Sequence, residues 1–192
     1  MSAAVLLMIG AAASAQGIKY SDSYSFIKAV KDRDGNKATE LIGSRGSSII
    51  SARDGDTGDT ALHILVRQRD LNWLSFMLGK GARTNVQDKD GNTPLGLAAQ
   101  IGWVEGATQL LARGAAADAP NTRGETPLIL AVQQRHAPMV RLLLARGANP
   151  RRPDSVTGNS ALDYAKQDRR STVILKMLEA QPQKKDAAGP VL

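Results

Sequence analysis

Thr93-Pro94-Leu95-Gly96-Leu97-Ala98-Ala99 returns 33 residues later as Thr126-Pro127-Leu128-Ile129-Leu130-Ala131-Val132. Outward from this pair, Thr60-Ala61-Leu62-His63 begins 33 residues earlier and Ser160-Ala161-Leu162-Asp163 begins 34 residues later. A second track keeps the same step: Met77-Leu78, Leu110-Leu111, Leu143-Leu144 and Met177-Leu178 are separated by 33, 33 and 34. Further back, Phe26 precedes Leu62 by 36, and Leu41-Ile42 precede Met77-Leu78 by 36, which adds a divergent first unit. Two independent motifs that share a period define a repeat architecture, and that decides the fold before any single element is read.

Each unit reads as two helices. Thr93 and Thr126 stand where a side-chain oxygen can accept a free backbone N–H, and Pro94 and Pro127 occupy the first helical position, where no donor is missed. Leu95, Ala98 and Ala99, like Leu128, Ala131 and Val132, fall at i, i+3, i+4 and form one buried face. Gly81, Gly114 and Gly147 follow the second-track pairs, where a helix ends in the left-handed conformation that glycine adopts at low cost. Polar, glycine-containing stretches at 88–92, 121–125 and 154–159 predict projecting turns. One extra residue in the last of them explains the 34 step. About three extra between Ser47 and Gly58 explain the 36 step and predict a first finger longer than its fellows. A single hairpin cannot bury its apolar stripe, so stacked neighbours must do so and terminal units should be more polar. Lys176 indeed stands where equivalent helices have Phe76 and Leu142, and Asp32, Arg33, Asp34 and Lys37 charge the first unit.

The pattern resembles the ankyrin repeat over roughly Tyr24 to Gln181, with Thr-Pro-Leu intact at Thr93 and Thr126 and Gly-Ala at Gly81, Gly114 and Gly147. The resemblance implies an all-α ankyrin-repeat solenoid of about five helix-turn-helix units with projecting β-turn fingers. It spans 24–182, in units of about 24–54, 55–87, 88–120, 121–153 and 154–182. It also implies a non-catalytic module that binds a partner protein on a concave face formed by finger tips and first helices. Carried over position by position, that face comprises Asp56, Thr57, Asp59, Arg67 and Gln68 in the second unit and Lys89, Asp90, Asn92, Gln100 and Ile101 in the third. The fourth unit contributes Thr122, Arg123, Glu125, Gln133 and Gln134, and the fifth Asn159, Gln167 and Asp168. Ile101, apolar at a polar rim, is expected to anchor an interface. Trp103 replaces the family's usual His after the glycine that opens the second helix, and is expected to be partly exposed and open to a partner. His63, at the family's Thr-x-Leu-His position, is expected to tie adjacent turns together, and Trp73 to pack inward.

The chain has 192 residues, 42% hydrophobic and 22% charged, which suits one domain or a short repeat array. Aromatics are only 4%, consistent with small side chains that let helices approach closely. The formal charge is +7, and the excess concentrates late: twelve Lys/Arg against six acids lie between Arg123 and Asp186. A basic face can steer acidic proteins, anionic lipid or nucleic acid, or simply keep a surface solvated. Residues 3–13 form an apolar run followed by Ala13-Ser14-Ala15, a small-x-small pattern that predicts a signal peptide over 1–15, cleaved between Ala15 and Gln16. The alternative is a buried first helix. No Lys or Arg precedes the run, and it is too short to span a bilayer as a helix. Residues 16–23 are expected to be a mobile leader and 183–192 a disordered tail lacking periodicity. Cysteine is absent, so an oxidising compartment can neither add disulfides nor mispair them.

No catalytic set emerges. The two histidines, His63 and His136, lie 73 positions apart and two repeats away from each other, so they cannot share a triad or a metal site. Asp54-Gly55-Asp56 begins like a calcium loop but lacks the distal bidentate Glu, and reads as an acidic finger tip. Gly79-Lys80-Gly81 lacks phosphate-loop spacing and reads as a helix end. Neither cofactor, metal nor nucleic acid is expected. The expected product is a periplasmic, monomeric binder of an unidentified protein. The second reading is electrostatic attachment to anionic lipid or another envelope polyanion through the basic carboxyl half.

Overall fold

The computed structural model describes residues 21–181, and among these it contains ten α-helices. The first unit holds α1 (Asp22–Lys31) and α2 (Gly35–Arg45), followed by a 3-10 turn (Ser47–Ser51). The later units pair α3 (Ala61–Gln68) with α4 (Leu71–Gly79), and α5 (Pro94–Gln100) with α6 (Val104–Ala112). They continue with α7 (Pro127–Gln133) and α8 (Ala137–Ala145), then α9 (Ala161–Gln167) and α10 (Thr172–Glu179). First helices pack on first helices along the series α1, α3, α5, α7, α9, and second helices form a parallel row of α4, α6, α8 and α10. The all-α repeat solenoid predicted from the period is the fold.

The start signals act as the sequence predicts. Thr93 Oγ accepts from Gly96 N at 3.1 Å, Thr126 Oγ from Ile129 N at 3.3 Å, and Ser160 Oγ from Asp163 N at 3.3 Å. Each satisfies one of the amides a helix leaves free at its N-terminus. At the other end Gly81, Gly114 and Gly147 have φ of 90°, 83° and 82°. The alanine after each then donates back to Met77, Leu110 or Leu143 at 3.0–3.1 Å, which closes the last turn.

Phe26, Leu62, Leu95, Leu128 and Leu162, one from each unit, are all buried, as are Leu41, Met77, Leu110 and Leu143 from the second track. Each fully buried leucine contributes about 1.5–3 kcal/mol relative to exposure, so the aligned rows dominate the stability of the stack. The last unit is less covered: Val173 on α10 is 61% exposed.

Two boundaries differ from the sequence reading. Ser21–Ser23, placed in the leader, belong to the fold: Ser21 caps α1, its Oγ accepting from Tyr24 N at 3.2 Å, and the helix starts at Asp22. The first finger is also no longer than the last. Asp54 N donates to Asp59 O and Asp154 N to Asn159 O over the same number of residues, one more than in the two middle fingers. The other two extra residues lie before the finger, where the 3-10 turn takes them up. The predicted signal peptide, the rest of the leader, residue 182 and the predicted tail over 183–192 lie outside the described residues.

Candidate interaction surface

Each finger closes on itself and then bonds to its neighbour. Lys89 N donates to Thr57 O at 2.9 Å, Thr122 N to Asp90 O at 3.1 Å, and Ser155 N to Arg123 O at 2.9 Å. The tips therefore form a continuous rail. Close approach is why glycine stands beside each link: a Cβ on Gly91 would lie 2.5 Å from Thr122 N, and one on Gly124 2.4 Å from Ser155 N.

Below the rail, a residue at the finger base reaches one at the end of the first helix, eight positions on. Arg67 Nε contacts Asp59 Oδ2 at 3.4 Å, Gln133 Nε2 donates to Glu125 Oε1 at 3.2 Å, and Gln167 Nε2 to Asn159 Oδ1 at 3.4 Å. In the first unit Lys31, in register with Arg67, pairs with Asp54 at 2.6 Å. The third unit breaks the series. Asn92 donates instead to Asp88 Oδ2 at 3.2 Å, and the exposed side chain of Gln100 has no hydrogen-bond partner among the described residues.

The structure gathers the predicted residues into clefts. Asp90, Asn92, Gln100, Thr122, Arg123 and Glu125 line one of about 240 Å³, floored by Leu130. Gln133, Gln167 and Asp168 line another of about 380 Å³ with Val132, Arg135 and Tyr164. Asp56, Thr57 and Gln134 are exposed. Gln68 is committed internally, donating to Lys31 O at 2.9 Å. Two acids are less available than expected: Asp59 and Glu125 are each 5% exposed. Burial pushes the Glu125 carboxyl up, but hydrogen bonds from Arg123, Asn121 and Gln133 outweigh it and hold the group below its ordinary range. These carboxylates organise the groove wall and leave little acceptor for a ligand.

Trp103 is a correction. It is 5% exposed, its ring lying flat on Gly106, where a Cβ would come within 2.1 Å of the indole. The missing side chain at 106 lets the indole turn inward, so Trp103 is core. Ile101 is half-buried against the core, with less apolar area to offer than expected. Trp73 is half-buried, set against Gly35 and edge-on to Phe76.

The first unit was given no site residues, yet Tyr24, Lys28, Lys31 and Asp54 line a cleft of about 370 Å³. The 36-residue step that aligns Lys31 with Arg67 was the signal that could have found it. Tyr164 was also missed. Its hydroxyl donates to Asp154 Oδ2 at 2.6 Å, fixing the ring beside the last finger.

His63 is fully buried, and both its nitrogens are used. Thr60 N–H donates to Nδ1 at 3.1 Å, so the ring hydrogen sits on Nε2 and donates to Asn92 O of the next unit at 3.0 Å. Burial pushes this imidazole below its ordinary pKa. Asp54 accepts from the backbone of Asp56 and Thr57 at 3.0 and 2.9 Å, and Lys31 holds its carboxyl well below the usual range, so the acidic stretch is a finger turn. Lys80 ends α4 with its ammonium 5.4 Å from the Phe76 ring centre.

A family model described as "Ankyrin repeats (3 copies)" matches residues 26–121, half of the chain, and one described as "Ankyrin repeats (many copies)" matches 110–165. The chain belongs to the ankyrin-repeat family. A stretch of 76 residues is 36% identical to a probable serine/threonine-protein kinase of Dictyostelium discoideum, covering 39% of this chain and 8% of that one. So small a share of the relative carries the repeat likeness alone. Ankyrin repeats are generally protein-protein interaction modules and typically non-catalytic.

Proposed function

We propose that this ankyrin stack is a non-catalytic, monomeric module that seats a partner protein in the groove between finger tips and first helices, and that it works in the bacterial envelope after export. The observation that carries the groove reading is the ladder of finger-base to helix-end contacts, interrupted at Gln100. Finger-base and helix-end side chains elsewhere are paired, although Asp59 Oδ1 and Gln68 Oε1 are buried without a partner, while at the centre an exposed amide with two donors and an acceptor is left over beside a preformed cleft. A wall largely held by its own contacts, with an exposed amide left over, favours a partner that supplies matching backbone or side-chain groups, since little ordering remains to be done on binding.

Export is supported by the apolar run over 3–13 and the Ala13-Ser14-Ala15 pattern. Fractionation with determination of the mature amino terminus tests it, and Gln16 as first residue is the expected result. The groove is tested by affinity recovery from envelope extract with the wild-type chain and a variant carrying Gln100→Glu, Arg123→Glu and Gln134→Glu. Loss of a specific partner in the variant is expected. Equal recovery of every partner would place binding elsewhere.

A further inference from the structure

Charge divides unevenly between the two sides of the ankyrin stack. The second helices of units two to five and the turns that leave them (71–87, 104–120, 137–153 and 172–181) hold eight Lys/Arg against three Asp/Glu. All other described residues hold fourteen against fourteen, so the described excess lies wholly on the side away from the groove. On the groove side, cations are tied to acids: Lys31 to Asp54, Arg67 to Asp59 and Asp88, Arg123 to Glu125, Arg135 to Asp168.

The stretch 137–153 is the extreme case, with four arginines and no acid. Arg141, Arg146, Arg151 and Arg152 are all exposed, and none of the ion pairs among the described residues involves them. Arg151 and Arg152 stand on a turn flanked by Pro150 and Pro153 and fixed on three sides. Arg151 N donates to Asn149 Oδ1 at 2.9 Å, Asn149 N to Asp118 Oδ1 at 2.9 Å, and Leu162 N to Pro150 O at 3.0 Å. Asp118 holds the turn through one carboxylate oxygen and keeps its charge, so the four arginines outnumber the acid beside them four to one.

We propose that Arg141, Arg146, Arg151 and Arg152 form a docking surface for an anionic phospholipid membrane, independent of the groove. Guanidinium matches phosphate oxygens in geometry, and a pre-fixed turn loses little freedom on contact. The exposed positions beside the arginines are Pro138, Ala145, Gly147 and Pro153. Within 137–153 no large apolar side chain is exposed, so the stretch offers no apolar anchor for a packed protein interface. Nor do the described residues place an aromatic platform for nucleobases beside the arginines, since Tyr164 is engaged on the groove side. What remains is a set of exposed cations, which suits a membrane surface and is sensitive to salt.

The test is co-flotation of the full chain with phosphatidylcholine vesicles and with mixed phosphatidylcholine–phosphatidylglycerol vesicles. Binding to neutral vesicles, which an apolar amino-terminal run would give, serves as the baseline. The wild type should bind the anionic vesicles above that baseline and lose the difference at about 0.5 M salt. Arg141→Gln, Arg146→Gln, Arg151→Gln and Arg152→Gln together should weaken that binding at least ~100-fold, at about fivefold per cation. A control carrying Lys37→Gln, Lys89→Gln, Lys166→Gln and Arg169→Gln loses the same charge elsewhere and should stay within about threefold of wild type. Circular dichroism melts show whether both variants are folded, and these exposed side chains should leave them so. Equal losses in the two variants, no preference for anionic vesicles, or tighter binding to polyglutamate or single-stranded DNA than to vesicles would overturn the proposal.

Discussion

Arg69 sits in left-handed conformation at the turn between α3 and α4, with φ of 54°, and its Nη2 donates to the carbonyl of Ile101 in the next unit at 2.6 Å. Ile101 caps α5, so the guanidinium lies at the negative end of a helix dipole. Arg33, with φ of 59°, makes the same reach to Gln68 O at 3.5 Å, and Arg135, with φ of 56°, pairs at 2.5 Å with Asp168, the cap of α9. Three arginines thus occupy a turn position that favours glycine, and each offsets its backbone strain with a contact to the following unit. Gly102 holds the equivalent place in the third unit, with φ of 67°.

This relationship separates backbone strain from the side-chain clamp. Arg69→Gly and Arg69→Ala both remove the guanidinium, but only alanine keeps the left-handed strain, about 1 kcal/mol. Urea denaturation should therefore rank wild type and Arg69→Gly close together and Arg69→Ala about 1 kcal/mol below Arg69→Gly. Equal stability of the two variants would contradict the strain argument.

Gly106→Ala should cost about 2–3 kcal/mol, because the new methyl would overlap the buried Trp103 ring and force the core to move. Gly43→Ala, in α2 with nothing within 4 Å of its Cβ, should instead gain about 0.5–1 kcal/mol. Thermal melts of the two variants should shift in opposite directions.

His63 makes stability fall with acid. Its folded pKa is pushed below the ordinary 6.5 by burial, so as pH drops below that value the unfolded chain takes up a proton the folded chain does not. Stability is fully present above pH 6.5 and declines as pH drops toward the folded value. His63→Ala should lose about 2–3 kcal/mol at neutral pH, leaving Thr60 N–H and Asn92 O without their partner, and should flatten the slope just below pH 6.5. Denaturation midpoints across that range decide it.

Asp154 acts at lower pH. Burial raises its pKa, but hydrogen bonds from Tyr164 and Thr157 outweigh this and bring it to about 2, below the ordinary 3.8. The carboxylate therefore contributes stability that is complete above pH 3.8 and is lost as pH falls toward 2. Asp154→Asn should be less stable than wild type at neutral pH, and the gap should narrow between about pH 4 and pH 2. An unchanged gap would mean that Asp154 carries no such charge-dependent bonding.

The repeat was legible because its determinants are local: a Thr cap, a Pro at the first helical position and a left-handed Gly each leave a fixed-spacing trace. The role of His63 came from the resemblance at Thr60-Ala61-Leu62-His63, and its partner in the next unit, Asn92 O, comes only from the fold. What escaped depended on neighbours in space. Trp103 looked exposed because its burial is decided by Gly106, three residues away, whose missing side chain makes room for an indole. Asp59 and Glu125 looked like free rim charges because only the folded wall shows that Arg67, Asn121, Arg123 and Gln133 have claimed them. Charge was counted along the chain, so the carboxyl half looked uniformly basic. Folding pairs Arg123 and Arg135 on one side and leaves Arg141, Arg146, Arg151 and Arg152 on the other.

The most direct measurement is site-specific photo-crosslinking of the full chain in its host, with the reactive residue placed at Gln100 or Gln134 in the groove, or at Glu105 or Thr108 on α6. A groove that seats a partner predicts a discrete protein adduct from Gln100 and Gln134 and none from α6. Adducts from Glu105 and Thr108, with the groove positions silent, would contradict it.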